Sequence, residues 1–460
     1  MKNQVTINKL KIMSQNSINR RNFLGKALIG GAAAVAIPTI ISSCTEKKNT
    51  ATTLNFLDQS PDGPVLKAGL IGCGGRGKGA AKNFLSAGPN LKIVALGDVL
   101  EDRLTEAKKM LIKDKGQEIA DEMCFVGFDS YQKVMDSGVD IVILATPPHF
   151  RPDHFAAAVQ ARKHVFMEKP VAVDPVGARS VMETSKKAKS LNLSVVTGTQ
   201  RRHQRDYSNT WKQVAEGAIG EVTSANVYWN GGKLWHKNPR AEWNEMEYMI
   251  RDWVNWCWLS GDHIVEQHVH NLDVGIWFKG SHPVKANGFG SRQRRIGGDQ
   301  FDNFSIDFQF EDHTHMHSMC RQINGCTNNV SERVQGTKGY TNCRSHTYDL
   351  QGNTTWEYTY PLNKEGNQDR RLMKSAYVQE HIDFVTSIRE SKPINEAERT
   401  AISTMVAIMG RISAYSGKLV TWEEVMNSEL KMGPKIYVFG DVDIPKEIPI
   451  PGDAYKPNKK

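Results

Sequence analysis

From residue 65 onward the chain alternates short apolar runs with segments of helical period. Residues 66–71, 91–96, 139–145, 164–167 and 194–197 read as strands, and 79–87, 103–113, 154–161 and 175–189 as the helices between them. The run at 139–145 is apolar at nearly every position, as in a strand covered on both faces. This alternation predicts a parallel α/β sheet over 65–198. After residue 199 the pattern changes. Residues 222–229, 284–289, 304–310, 313–321 and 330–334 read as strands joined by turns, and helices at 378–389 and 396–415 follow. The expectation for 199–460 is an α+β domain with an open, mostly antiparallel sheet.

The first 64 residues follow neither pattern. Asn19-Arg20-Arg21-Asn22-Phe23-Leu24-Gly25-Lys26 has the form of a twin-arginine leader, and an uncharged stretch runs from Ala27 to Ile41-Ser42-Ser43-Cys44. That stretch is too short and too weakly apolar for a membrane span, and its end resembles a lipobox. Residues 1–44 are therefore expected to be an export signal, starting at Met1 or Met13, with a lipid anchor on Cys44 in the periplasm. The polar residues 45–64 are expected to be a tether. The leader also changes the meaning of the charge. The formal net charge is +9, and six uncompensated cations (Lys2, Lys9, Lys11, Arg20, Arg21 and Lys26) lie before residue 44, leaving +3 on the rest. A nearly neutral body gives no case for a nucleic-acid partner. Of the 7 cysteines none forms a Cys-x-x-Cys pair, so most are expected to be free buried thiols, with Cys320 and Cys326 as one possible pair.

The glycines add candidate chemistry. Gly72-Cys73-Gly74-Gly75-Arg76-Gly77 follows a strand and opens a helix, in a unit whose second strand ends at Asp98. Gly72, Gly74 and Gly77 permit a tight turn and close approach of a pyrophosphate to helix amides, as in a Rossmann domain. Gly75 and Arg76 lie within the same loop. The Asp98 carboxylate suits ribose hydroxyls and repels a 2′-phosphate, which favours NAD; NADP becomes the cofactor if Asp98 turns away and Arg76 meets that phosphate. Thr146, Pro147 and His149 follow the strand at 139–145, at the edge where ligands bind in such sheets.

Glu168-Lys169-Pro170 ends another strand, where a lysine can hold a substrate hydroxyl and lower its pKa. Glu266, His270 and Asp273 are spaced i, i+4 and i+7, one face of a helix. A carboxylate and an imidazole so spaced can manage one hydroxyl proton. His263, His268 and His270 do not have metal-ligand spacing, and no metal is expected. Arg202 and His203 follow the last Rossmann strand; with Trp235, His268 and Asp273 they are candidate substrate contacts. His313, His315 and His317 read as a polar strand face, and Arg292, Arg294 and Arg295 as a solvated loop.

Taken together, these motifs resemble the Gfo/Idh/MocA family of glucose–fructose oxidoreductases and inositol dehydrogenases, over nearly all the chain from Val65. The resemblance implies a tightly held nicotinamide cofactor, Lys169 as the catalytic lysine, and Glu266 and His270 in place of an Asp-x-x-x-His pair, with His270 as general acid/base. It also implies a carbohydrate or cyclitol substrate and a homodimer or homotetramer paired through the open sheet. The expected reaction is oxidation of a hydroxyl on a sugar, glycoside or cyclitol. An alternative resembles glycoside hydrolase family 109, in which oxidation, elimination and reduction cleave a glycoside with no net redox change; it needs a further base, for which His203 and His268 are candidates. A second alternative is a non-catalytic sugar-binding lipoprotein.

Overall fold

Six strands are laid side by side in one direction: β1 (Leu66–Ile71), β2 (Leu91–Asp98), β3 (Cys124–Val126), β4 (Ile141–Leu144), β5 (His164–Met167) and β6 (Val195–Thr197). The computed structural model describes residues 56–452, so the expected signal with Arg20, Arg21 and Cys44 lies outside the described residues. The spatial order is β3-β2-β1-β4-β5-β6. Direction reverses between β1 and β4, so the loops leaving these two strands diverge and open a crevice at their carboxyl ends. The helices between the strands are α1 (Gly75–Leu85), α2 (Glu101–Lys115), α3 (Ser130–Asp136), α4 (Arg151–Gln160) and α5 (Pro175–Ser190).

Helix α6 (Arg205–Ala215) leads into the second sheet, whose order is β14-β13-β12-β11-β7-β10-β9-β8-β15. Its strands are β7 (Val222–Gly231), β8 (Lys285–Ser291), β9 (Asn303–Gln309), β10 (His315–Gln322), β11 (Asn329–Gly336), β12 (Gly339–Thr341), β13 (His346–Asp349), β14 (Thr354–Glu357) and β15 (Val420–Thr421). Only the β7–β10 pair is parallel. Between β7 and β8 lie α7 (Glu245–Arg251), α8 (Cys257–Ser260), α9 (His263–Glu266) and α10 (Val269–Lys279). Later come α11 (Ala376–Arg389), α12 (Ala397–Ser416) and α13 (Trp422–Asn427). Strict alternation puts Phe304, Ile306 and Phe308 of β9 and Met316 and Cys320 of β10 in the core. The opposite face is polar: His315 faces Asp307 at 2.9 Å and His317 faces Ser305 at 3.2 Å, while His313 sits in the preceding turn. No His, Cys, Asp or Glu cluster among the described residues has the makings of a metal site.

Two features depart from the sequence reading. Residues 56–64, expected as tether, lie against the parallel-sheet domain: Ser60 is buried with its amide donating to Ala87, and Arg389 donates to the Pro61 and Pro64 carbonyls. The second departure is α11. It returns from beyond the second sheet and packs Ile382, Phe384 and Val385 against Leu70, Phe84 and Phe166, so residues far along the chain complete the first core. Cys320 and Cys326 are both free, as are the other described cysteines.

Candidate active site

The turn after β1 is shaped by its glycines. Gly72 adopts φ +93, and a Cβ there would lie 2.6 Å from the Ala145 carbonyl carbon; a Cβ on Gly77 would lie 1.8 Å from the Gly72 oxygen. The protein itself therefore requires these two. Gly74 and Gly75 differ, because a Cβ on either would meet no protein atom within 4 Å. Their bareness leaves open the space in front of the first amides of α1, as a pyrophosphate needs. We expect Gly77→Ala to cost at least ~1–3 kcal/mol by overpacking and to empty the cleft of nucleotide, read by thermal unfolding and by the ultraviolet spectrum of the purified protein.

The turn opens on a cleft of about 380 Å³ lined by Gly72, Gly74, Gly75, Arg76, Asp98, Thr146 and Pro147. Asp98 accepts the amides of Cys73 at 2.6 Å and Leu100 at 2.8 Å, which locks the glycine turn to the end of β2. Burial raises its pKa. The far wall comes from the second domain: Trp235, Lys237, Ile250, Arg251 and Trp253. This wall is fastened down. Arg251 makes a two-pronged ion pair with Asp102 of α2, at 2.9 and 3.1 Å. Glu245, at the other end of α7, accepts the Val442 amide at 2.8 Å and pairs with Lys446 at 2.6 Å. Met246, Met249 and Ile250 pack with Leu100, Trp258 and Val442. Residues 432–446 thus form a strap behind the wall.

Arg76 lines the cleft with its charge already engaged. Its guanidinium pairs with Glu168 at 2.6 Å and Glu380 at 3.3 Å, above the Tyr377 ring. The pair with Glu168 joins the cofactor turn to the end of β5, where Lys169 follows. Lys169 donates to both the peptide oxygen and the carboxylate of Glu266, the latter at 2.9 Å. The second carboxylate oxygen of Glu266 is buried without a hydrogen-bond partner. His270 stacks on Trp229, centroids 5.8 Å apart, and the Arg201 guanidinium lies over the Trp229 ring at 5.7 Å from its centroid. Burial first, then the charges of Lys169, Arg201 and Arg76, hold the His270 pKa well below the usual imidazole range. His270 is accordingly a neutral base beside a lysine cation.

Several expected contacts fall elsewhere. Glu266 and His270 do not share one helix: α9 ends at Glu266, the chain turns at Gln267 and His268, and α10 begins at Val269. Glu266 consequently serves Lys169. Asp273 is buried and bound by Arg202 at 2.8 and 2.9 Å and by Ser403 at 2.6 Å, so these two residues tie α10 to the loop after β6 and to α12 instead of offering polar groups to a substrate. His203 is fully buried between Asp383 at 2.6 Å and Glu396 at 3.0 Å. The two carboxylates outweigh burial and raise its pKa to about 10, making it a fixed cation. His268 is fully buried against Ser318 at 2.7 Å, and burial lowers its pKa to about 3. Neither imidazole is placed to act as the further base. His149 is buried against Trp258 and Tyr437, outside the cleft lining. Trp235 belongs to the cofactor cleft, edge-on to Trp253.

Sequence reasoning missed Glu332, Tyr377 and Glu380. Glu332 lies on the inward face of β11, beside Val334, and accepts from Arg201, from Tyr207 at 3.0 Å and from Asn271 at 2.6 Å. An acid in the inward register of a strand was the available signal. Glu380 is buried on α11, and burial raises its pKa well above the usual carboxylate range.

Residues 66–196 match the family described as "Oxidoreductase family, NAD-binding Rossmann fold" (GFO_IDH_MocA). Over 225 residues the chain is 24% identical to the scyllo-inositol 2-dehydrogenase (NAD(+)) of Bacillus subtilis, covering 49% of this chain and 57% of that protein. It is 30% identical over 156 residues to the myo-inositol 2-dehydrogenase of Thermotoga maritima, covering 34% and 42%. The chain thus spans about half the length of the curated relatives it matches. Among solved structures, scyllo-inositol dehydrogenase from Lactobacillus casei with bound NAD(H) and scyllo-inositol aligns with a TM-score of 0.58 at 23% identity, over 78% of this chain and 99% of that one. Aldose-aldose oxidoreductase from Caulobacter crescentus aligns at 0.60 with 18% identity, over 78% and 99%. At these identities the structural likeness speaks to the fold. The sequence match and the glycine turn agree on the same segment, so residues 66–196 are a NAD-binding Rossmann domain similar to those of the Gfo/Idh/MocA oxidoreductases.

Proposed function

We propose that the chain is a nicotinamide-dependent oxidoreductase acting on a hydroxyl of a sugar, glycoside or cyclitol. The observation that carries this reading is the group at the end of β5: a lysine cation held by Glu266, a neutral His270 within electrostatic reach of it, and an unpaired buried oxygen on Glu266. Lys169 donates a hydrogen bond to the substrate oxygen and favours its deprotonation. His270 accepts the proton. The free Glu266 oxygen accepts from a second hydroxyl, which fits a polyol. Bound NAD, held by the turn at Gly72–Gly77 and by Asp98, supplies the hydride acceptor. Because His270 is held neutral, its protonation is expected to leave no acid limb near pH 6.5 in the kcat/KM profile.

The closed far wall supports a cofactor that stays bound through turnover. Arg251→Ala removes the two-pronged pair with Asp102, and we expect faster loss of nucleotide, by about two- to fivefold, on dialysis followed at 340 nm. Export through Arg20-Arg21, lipid attachment at Cys44 and pairing through the open sheet belong to the same proposal. They rest on sequence pattern and resemblance. Conversion of both arginines to lysine should leave unprocessed precursor, and light scattering that finds only monomer would refute the pairing.

The deciding experiment purifies the protein without added nucleotide and follows nicotinamide absorbance as sugars, cyclitols and aryl glycosides are supplied, with chromatography of products. A reduced band formed by a polyol supports the proposal. Aglycone release without net reduction replaces it with the redox-neutral glycosidase. Bound nicotinamide that responds to none of them leaves a sugar-binding protein.

A further inference from the structure

The basic loop at 292–295 exposes Gln293 and Arg294, and its backbone is nevertheless fixed. Its backbone winds around Asp302, whose carboxylate accepts the amides of Gln293, Arg294 and Arg295. The Arg292 guanidinium donates to the carbonyls of Gln300 and Gly297 at 2.8 and 3.0 Å. The fold thereby fixes Arg294 and Arg295 at the edge of a second cavity, of about 260 Å³, which they share with Lys233, His236, Gln322 and Asn324. No carboxylate lines this cavity. Among the described residues, none of Lys233, Arg294 and Arg295 has an ion-pair partner. Arg295 instead donates to three neutral oxygens: Phe301 carbonyl at 2.7 Å, Asn255 at 2.8 Å and Gln322 Oε1 at 2.5 Å.

That last contact fixes the glutamine. A guanidinium only donates, so the atom facing Arg295 is the carbonyl oxygen and the free end is the NH₂. Gln322 is 5% exposed, and its Nε2 has no hydrogen-bond partner. A buried donor without an acceptor is costly, and here it stands in a cavity with three unpaired cations. We propose that this cavity binds an oxyanion, a carboxylate, sulfate or phosphate group, with Gln322 Nε2, Arg294 and Lys233 as donors. The group comes either from an acidic sugar or from a free inorganic anion. The segment 233–237 is a common wall: Lys233, Leu234 and His236 face this cavity, and Trp235 and Lys237 face the cofactor cleft. An occupant therefore braces the far side of the nucleotide site.

The test uses the folded protein with its nucleotide and needs no turnover, so its result is independent of the proposed reaction. Calorimetric titrations with sodium sulfate, sodium glucuronate and glucose are compared at constant ionic strength. Saturable one-to-one binding of an anion, with none for glucose, is expected. Gln322→Glu keeps an acceptor for Arg295 and puts a carboxylate oxygen where the free donor was; it should weaken binding at least about tenfold. Arg294→Gln, at an exposed side chain that the fold does not need, should weaken it severalfold. Glucuronate binding more tightly than sulfate identifies an acidic sugar as the source, and equal binding identifies a free anion. Absence of saturable binding by either anion, or binding that survives both substitutions, overturns the proposal.

Discussion

Replacing Lys169 by alanine is expected to lower kcat/KM by ~10²–10⁴-fold, the usual worth of a positioned acid or base. The loss should fall on kcat more than on KM, because the hydrogen bond strengthens as charge develops on the substrate oxygen. The same change leaves the Glu266 carboxylate buried without its counter-ion, so a fall in stability is also expected. The double variant Lys169→Ala/Glu266→Gln separates the two effects: stability should recover while the rate stays low. Stopped-flow reduction of bound nicotinamide, read beside the melting temperature, makes the comparison. A single variant with unchanged rate of reduction would sink the assignment of Lys169.

The second large effect concerns stability. His203 sits at a junction of β6, α11 and α12, with Asp383 on one nitrogen and Glu396 on the other. Glu396 also accepts the Thr197 amide at 3.0 Å and pairs with Arg399 at 2.5 Å. Removing the imidazole takes away the cation between two buried carboxylates and leaves Asp383 with the neutral Gln379 amide, and His203→Ala should cost ~3–5 kcal/mol. The pH dependence has a definite sign. The folded pKa of His203, about 10, lies above the unfolded value of ~6.5. Its contribution is therefore complete below ~6.5 and is lost as pH rises through about 10. Denaturant unfolding from pH 6 to 10 should show a falling stability in the parent and a flatter curve in His203→Ala. Parallel curves would show that the imidazole is not the group responsible.

The contrast between these residues shows what the sequence conveys. The Rossmann half was legible because its information is local. The apolar run at 139–145 marks a doubly covered strand, and Gly72 and Gly77 are glycines because the backbone admits nothing larger. The strand end that carries Lys169 was legible for the same reason. His203, Arg202 and Asp273 were misread because their partners lie 71 to 193 residues away, on α10, α11 and α12. An isolated histidine in a sequence does not reveal that two buried acids await it. The Glu266–His270 spacing failed differently. Periodicity assumes an unbroken helix, and the turn at Gln267 and His268 removes the shared face. Helix α1 began four residues before its apolar period, because a glycine-rich first turn carries no hydrophobic signal.

The strap at 432–446 sets a timetable. The glycine turn and Asp98 lie within the first hundred residues, and the anchor of the opposite wall, Val442 and Lys446 on Glu245, is made some 340 residues later. At ~5–20 residues per second, a ribosome takes roughly 20–70 s to cover that distance. Until that anchor is made, the wall opposite the glycine turn is unfastened. The strap is the last part of this site to leave the ribosome, so a nucleotide enclosed by the finished cleft would be one met where the chain folds.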